Sequence, residues 1–73
     1  MNNMKNSKLI ELIEEDLIKI GLIGSTKIAK ELNVTIATWW RLTNRGAVSN
    51  NTLKKISYIT KRPYSEYKKL KED

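Results

Sequence analysis

Apolar residues recur along the chain at helical spacing, in short stretches separated by polar or glycine-containing breaks. The first stretch predicts a helix from about Lys8 to Ile20, with Leu9, Ile10, Ile13, Leu17 and Ile20 on one broad face. Glu11, Glu14, Glu15 and Asp16 read as the solvated remainder of that helix. Gly21 and Gly24 bracket Leu22 and Ile23 and predict a stop followed by a packed turn. Ser25 is placed to cap a second helix, Thr26 to Leu32, whose apolar face is Ile28, Ala29 and Leu32. Asn33 tolerates the left-handed conformation of a sharp turn, and Val34 is expected to reach into the core. Thr35 then caps a third helix, Ile36 to Asn44, with Trp39 and Leu42 facing inward. After a loop that tucks in Val48, Ser49 or Asn50 caps a fourth helix, Asn51 to Lys61, which buries Leu53 and Ile56 with Ile59 or Thr60. Pro63 stops it and biases Arg62 towards an extended conformation. A last short helix, Tyr64 to Leu70, offers Tyr67 and Leu70 to the core. Residues 1–7 are polar and aperiodic and predict a flexible N-terminus, and Lys71 to Asp73 form a polar tail.

These elements describe an all-α fold, a compact bundle of about five short helices with a helix-turn-helix at its centre. Residues 8–70 form the one domain. At 73 residues the chain is near the lower limit for a self-sufficient core, so a homodimer would add useful burial.

Composition narrows the function classes. The absence of Cys and His excludes disulfides, thiol catalysis and the usual zinc ligands, so no metal is expected. No glycine-rich phosphate loop is present, and neither a cofactor nor a small-molecule ligand is expected. Charges interrupt the apolar residues between Leu9 and Ile23, which argues against a signal peptide or a membrane helix and favours the cytoplasm. Glu31 and Glu66 stand alone, and the hydroxyl residues are mostly accounted for as caps. With no convergent catalytic group, the chain reads as a binding protein and not an enzyme.

Charge is distributed unevenly. The net charge is +6, and from Leu32 to Ser65 there is no acidic residue, while Arg41, Arg45, Lys54, Lys55, Lys61 and Arg62 all fall there. A basic half built on a helix-turn-helix suits a polyanion.

The stretch from Ser25 to Gly46 resembles the Cro and CI repressor-like (lambda-repressor-like) helix-turn-helix family of phages and bacteria. Ile28-Ala29, Asn33, Val34-Thr35, Trp39 and Leu42 carry the likeness, which continues through Thr52, Leu53, Ile56 and Ser57 to Ser65-Glu66-Tyr67. The chain departs from the pattern at Ser25, where many members have Gln, at Asn33, which replaces Gly, and at Thr43-Asn44-Arg45-Gly46, which stands for the usual Glu-x-Gly. The resemblance implies a transcriptional regulator of a phage-type genetic switch, binding double-stranded operator DNA through its third helix. By motif position the outward residues are Ile36, Ala37, Thr38, Trp40 and Arg41. Arg41 is suited to guanine, Thr38 to a base or phosphate, and Ile36 and Ala37 to thymine methyl groups. Arg45, Asn50, Asn51, Lys54 and Lys55 lie where phosphates would meet the following loop and helix.

Ile36, Ala37 and Trp40 make that outward face apolar where polar base readers are the rule. Aromatic residues of this kind are enriched in protein–protein hot spots. The alternative is an antirepressor, a modulator of repression, that covers a phage-type repressor protein with the same face and blocks its access to DNA.

Overall fold

The backbone alternates helices with turns that the local sequence enforces. The computed structural model describes residues 5–72, in the order α1 (Ser7–Lys19), α2 (Ser25–Glu31), α3 (Ile36–Arg45), α4 (Asn50–Thr60) and α5 (Tyr64–Lys68). No strand occurs among the described residues, and no helix there is long and apolar enough to cross a membrane. The all-α bundle of five short helices is thus observed. Helix α2 packs on α3, α1 packs against α4 and α5, and α4 packs against α5. Leu9, Ile13 and Leu17 of α1 meet Leu32, Leu42, Leu53, Ile56 and Tyr67 in one core, closed by Trp39 and Val48.

Helix boundaries follow the caps. Thr35 Oγ1 accepts the Thr38 N–H at 3.0 Å and starts α3. Ser49 Oγ does the same for the Thr52 N–H at 3.2 Å, so Ser49 is the cap and α4 begins at Asn50, one residue before the expected start. Asn33 has φ of 55° and supports the sharp turn between α2 and α3. Lys61, also left-handed at φ 65°, ends α4 before Pro63 is reached.

Several expectations need correction. Ser25 is the first residue of α2 and makes no capping bond; Gly24, at φ 102°, occupies the cap position and turns the chain into the helix. Ile20 is 45% exposed because α1 ends at Lys19 and the chain swings away at Gly21. Leu22 packs on the core, but Ile23 beside it faces solvent. Helix α5 stops at Lys68, with Leu70 only partly buried beyond it.

The main electrostatic correction concerns α1. Asp16 does not lie on the solvated face; it is 6% exposed and lies between α1 and the α4–α5 junction. Its carboxylate accepts Arg62 Nε at 2.6 Å, Arg62 Nη2 at 3.1 Å and the Tyr67 hydroxyl at 2.6 Å. Arg62 also donates to Glu66 at 2.6 Å, so neither Arg62 nor Glu66 stands alone, and Arg62 leaves the set of cations available to a partner. The Arg62 hydrogen bond holds the Asp16 carboxyl below the usual carboxylate range, against the opposing effect of burial. Burial, reinforced by the hydrogen bond to Asp16, pushes the Tyr67 hydroxyl up to about 12.

A second tie joins the two ends of the chain, which the sequence pattern left unpacked. Residues 1–4 and Asp73 of those ends lie outside the described residues, but Ser7 opens α1 and Asn6 is only 2% exposed. Asn6 Nδ2 donates to the Gly46 carbonyl at 2.7 Å, and Asn6 Oδ1 accepts the Glu72 N–H. Lys71 Nζ donates to Asn50 Oδ1 at 2.9 Å. Gly46 has φ of 70°, and a Cβ there would collide with the Lys5 carbonyl.

Two predictions follow from these ties. Asp16→Asn is expected to lower stability at pH 7 by about 2 kcal/mol, since it weakens a buried, charge-assisted hydrogen-bonding group. The folded-state pKa of Asp16 is depressed, so its stabilisation is present above the unfolded carboxylate range and is lost as pH falls through the folded value. Urea denaturation at several pH values should therefore show the gap between wild type and Asp16→Asn closing in acid; a gap independent of pH would contradict the assignment. The raised Tyr67 value acts at the other end, where stability declines from about pH 10 towards 12.

Gly46→Ala should cost more than the ~1 kcal/mol of an ordinary left-handed glycine, because steric collision adds to backbone strain. Removing residues 1–5 from the variant should recover the excess. If the truncation changes wild type and variant equally, the Lys5 approach is not the cause.

Candidate nucleic-acid interface

The α2–α3 turn decides which side of α3 is free. Val34 N–H donates to the Ala29 carbonyl at 2.9 Å, and Asn33 N–H to the Lys30 carbonyl at 3.1 Å, so the turn closes back on α2. Trp39 and Leu42 enter the core, and the opposite side of α3 faces solvent. Ile36 is 54% exposed and Trp40 51%; Ala37 and Arg41 are exposed beside them, and Thr38 is half-buried. The two adjacent tryptophans therefore divide, Trp39 inside and Trp40 outside, as a 100° step between helix neighbours requires.

Polar atoms on α3 are partly committed. The Thr35 hydroxyl donates to Thr38 Oγ1 at 2.9 Å, which leaves the Thr38 hydroxyl proton free to donate outward. Thr43 Oγ1 donates back to the Trp39 and Trp40 carbonyls, each at 3.2 Å, and Asn44 Nδ2 donates to the Trp40 carbonyl at 3.0 Å. The end of α3 thus turns its polar side chains onto its own backbone. Thr38 and Arg41 remain as hydrogen-bonding groups aimed outward. Arg45 places its guanidinium 5.4 Å from the Trp40 ring centroid, so a cation covers part of the exposed indole.

The residues expected to meet phosphates separate into two groups. Arg45 lies at the α3–α4 loop, and Asn50 at the first turn of α4, where the Lys71 ammonium already holds its carbonyl oxygen. Asn51 is exposed beside it, and the first N–H groups of α4 lack intrahelical acceptors, as at any helix start. Lys54 and Lys55 lie one turn further along and line a different cleft, with Glu31, Asn33, Tyr58 and Ile59. There Glu31 partly offsets their charge, and the Lys54 ammonium sits 5.8 Å from the Tyr64 ring centroid.

Three residues at the interface were not legible as such. Lys5, Asn6 and Lys71 come to the α3–α4 loop only because Asn6 is bonded to Gly46 and Glu72. Asn6 sits before α1 like any polar residue near a chain end, and the one weak signal is its residue type, since Asn accepts the αL geometry it adopts here more readily than most residues. Tyr58, in the cleft with Lys54 and Lys55, is 83% exposed.

No group of three or more acidic side chains among the described residues is arranged to hold a metal ion. Compared with protein-family models, curated proteins and solved structures, the chain shows no match to any of them.

Proposed function

We propose that this protein is a small helix-turn-helix transcriptional regulator that binds double-stranded DNA with the outward face of α3, within a phage-type genetic switch. The observation that carries this reading is the free side of α3: Thr38 and Arg41 project from it, Arg45 lies at its end, and the sequence from Leu32 to Ser65 is devoid of carboxylates. A helix of this width, seated on a closed turn and backed by Trp39 and Leu42, suits a major groove. Arg41 would read guanine through paired N–H donors, Thr38 would donate to a base or phosphate, and Ile36 and Ala37 would contact thymine methyl groups. Arg45 and the start of α4 at Asn50 and Asn51 supply backbone contacts, with Lys54 and Lys55 as more distant cations. The switch context rests on the resemblance to the Cro and CI repressor-like family, and a site of action in the cytoplasm rests on the charges that interrupt the apolar residues between Leu9 and Ile23.

A second reading is favoured by the half-exposed Ile36 and Trp40, an aromatic–aliphatic pair on a helix face. In that reading α3 covers a phage-type repressor protein and acts as an antirepressor. Apolar anchors with a cationic rim, here Arg45 and Arg41, are the composition of a protein hot spot.

Fluorescence anisotropy with labelled duplex from the control region beside the gene, across a salt series, separates the two. Operator binding predicts affinity above that for scrambled duplex, a steep fall with salt, and a loss of about tenfold in Arg41→Ala. Equal, weak binding to both duplexes would sink the DNA reading. Pull-down of a phage-type repressor protein, lost in Trp40→Ser, would then support the antirepressor.

A further inference from the structure

Residues 5–6 and 71–72 meet at the α3–α4 loop, and they bring cations with them. The Asn6 side chain bridges the Gly46 carbonyl and the Glu72 N–H, so residues 5 and 71 are brought to the loop together. Among the described residues, the cleft that results is lined by the cations Lys5, Arg45 and Lys71 and by one carboxylate, Glu72. Residues 46–49, which lead into the first turn of α4, also line it. Lys71 is not a loose surface lysine, because its ammonium is fixed on Asn50 Oδ1 at the start of that helix. Arg45 spans the cleft and the Trp40 ring, making the cleft continuous with the outward face of α3.

We propose that this cleft is a phosphate-binding site, with a phosphodiester group held between Lys5, Arg45 and Lys71. A concave surface on which cations outnumber carboxylates, as Lys5, Arg45 and Lys71 outnumber Glu72, concentrates a favourable field on an anion. Two ammonium groups act there as point charges, while the Arg45 guanidinium offers paired N–H donors to two phosphate oxygens. Asn6 is a positioning residue: it touches no phosphate, but it holds both chain ends against the loop. On the reading of α3 as a DNA-binding helix, on which this assignment of the source rests, the anion is a backbone phosphate next to the groove that α3 enters. The same chemistry would accept inorganic phosphate, and the test distinguishes the two.

The experiment is a titration of ¹⁵N-labelled full-length protein, followed by amide shifts, with the control-region duplex in one arm and inorganic phosphate in the other. The proposal expects the amides of Lys5, Gly46 to Ser49 and Lys71 to move in both arms. In the double variant Lys5→Gln/Lys71→Gln those phosphate shifts should vanish, and the slope of log affinity for duplex against log salt should become shallower by about 0.9, the value for one phosphate contact. Lys19→Gln, on α1, serves as the control and should behave as wild type. If duplex moves the amides of α3 while the cleft stays unmoved, and the double variant keeps the wild-type salt slope, the cleft assignment falls and the reading of α3 stands. If inorganic phosphate moves the cleft but no duplex binds, the DNA reading falls and the phosphate site stands. Silence in both arms overturns both.

Discussion

A single buried carboxylate fixes how the two halves of this small bundle meet. Asp16 is carried by α1, yet its partners Arg62 and Tyr67 lie beyond the end of α4 and on α5. A buried charge without partners is strongly unfavourable, so α1 is held in the one orientation that delivers Asp16 to Arg62 and the Tyr67 hydroxyl. The hydroxyl of Thr60 shares a hydrogen bond with that of Tyr67 at 2.8 Å, which extends the tie onto the last turn of α4. Apolar burial supplies the drive to collapse in a chain this short, while the polar contact selects among the ways five short helices can pack. With α1, α4 and α5 fixed, Leu32 and Leu42 find their places in the same core, and α2 and α3 are held as a unit on its surface.

The same economy places the candidate interface. One face of α3 is consumed by the core through Trp39 and Leu42, and the caps at Thr35 and Ser49 set where α3 and α4 begin. What remains outward is a short strip of apolar and basic side chains, continued at its end by Arg45 into the cleft between the chain ends. Glycine at position 46 is required twice over, by its left-handed backbone and by the approach of Lys5, so the loop, the start of α1 and the C-terminal residues form one mechanical unit. A change at Asn6, which lines the cleft and bonds both Gly46 and Glu72, would therefore disturb the proposed binding surface.

Much of this architecture was legible in the sequence because it is local. Helical spacing of Leu9, Ile13, Leu17, Leu53 and Ile56 reports burial directly, and Thr35, Asn33 and Ser49 signal boundaries through bonds that span only a few residues. The division of Trp39 from Trp40 follows from the angle between neighbouring helix positions. What was illegible is long-range and polar. Asp16 looks like its neighbours Glu14 and Glu15 until Arg62 and Tyr67 are brought to it across 46 and 51 residues. Its position three residues after Ile13 and beside Leu17 puts it on the edge of the apolar stripe, a weak sign that only a partner in space turns into a contact. Asn6, Lys5 and Lys71 were hidden for the same reason, since polar residues at chain ends carry no periodicity. Lys54 and Lys55 illustrate the converse: their charge was plain, but the cleft they share with Glu31 was not.

That α3 reads DNA with Arg41 is our proposal. It is tested most directly by chemical protection of guanine N7 across the control region, with wild-type protein and with Arg41→Ala. The account predicts a short protected site in which at least one guanine, shielded by the wild type, becomes reactive again in the variant while the surrounding backbone footprint persists at higher protein concentration. Either the absence of any protected guanine with the wild type, or a protection pattern that Arg41→Ala leaves unchanged, would contradict it.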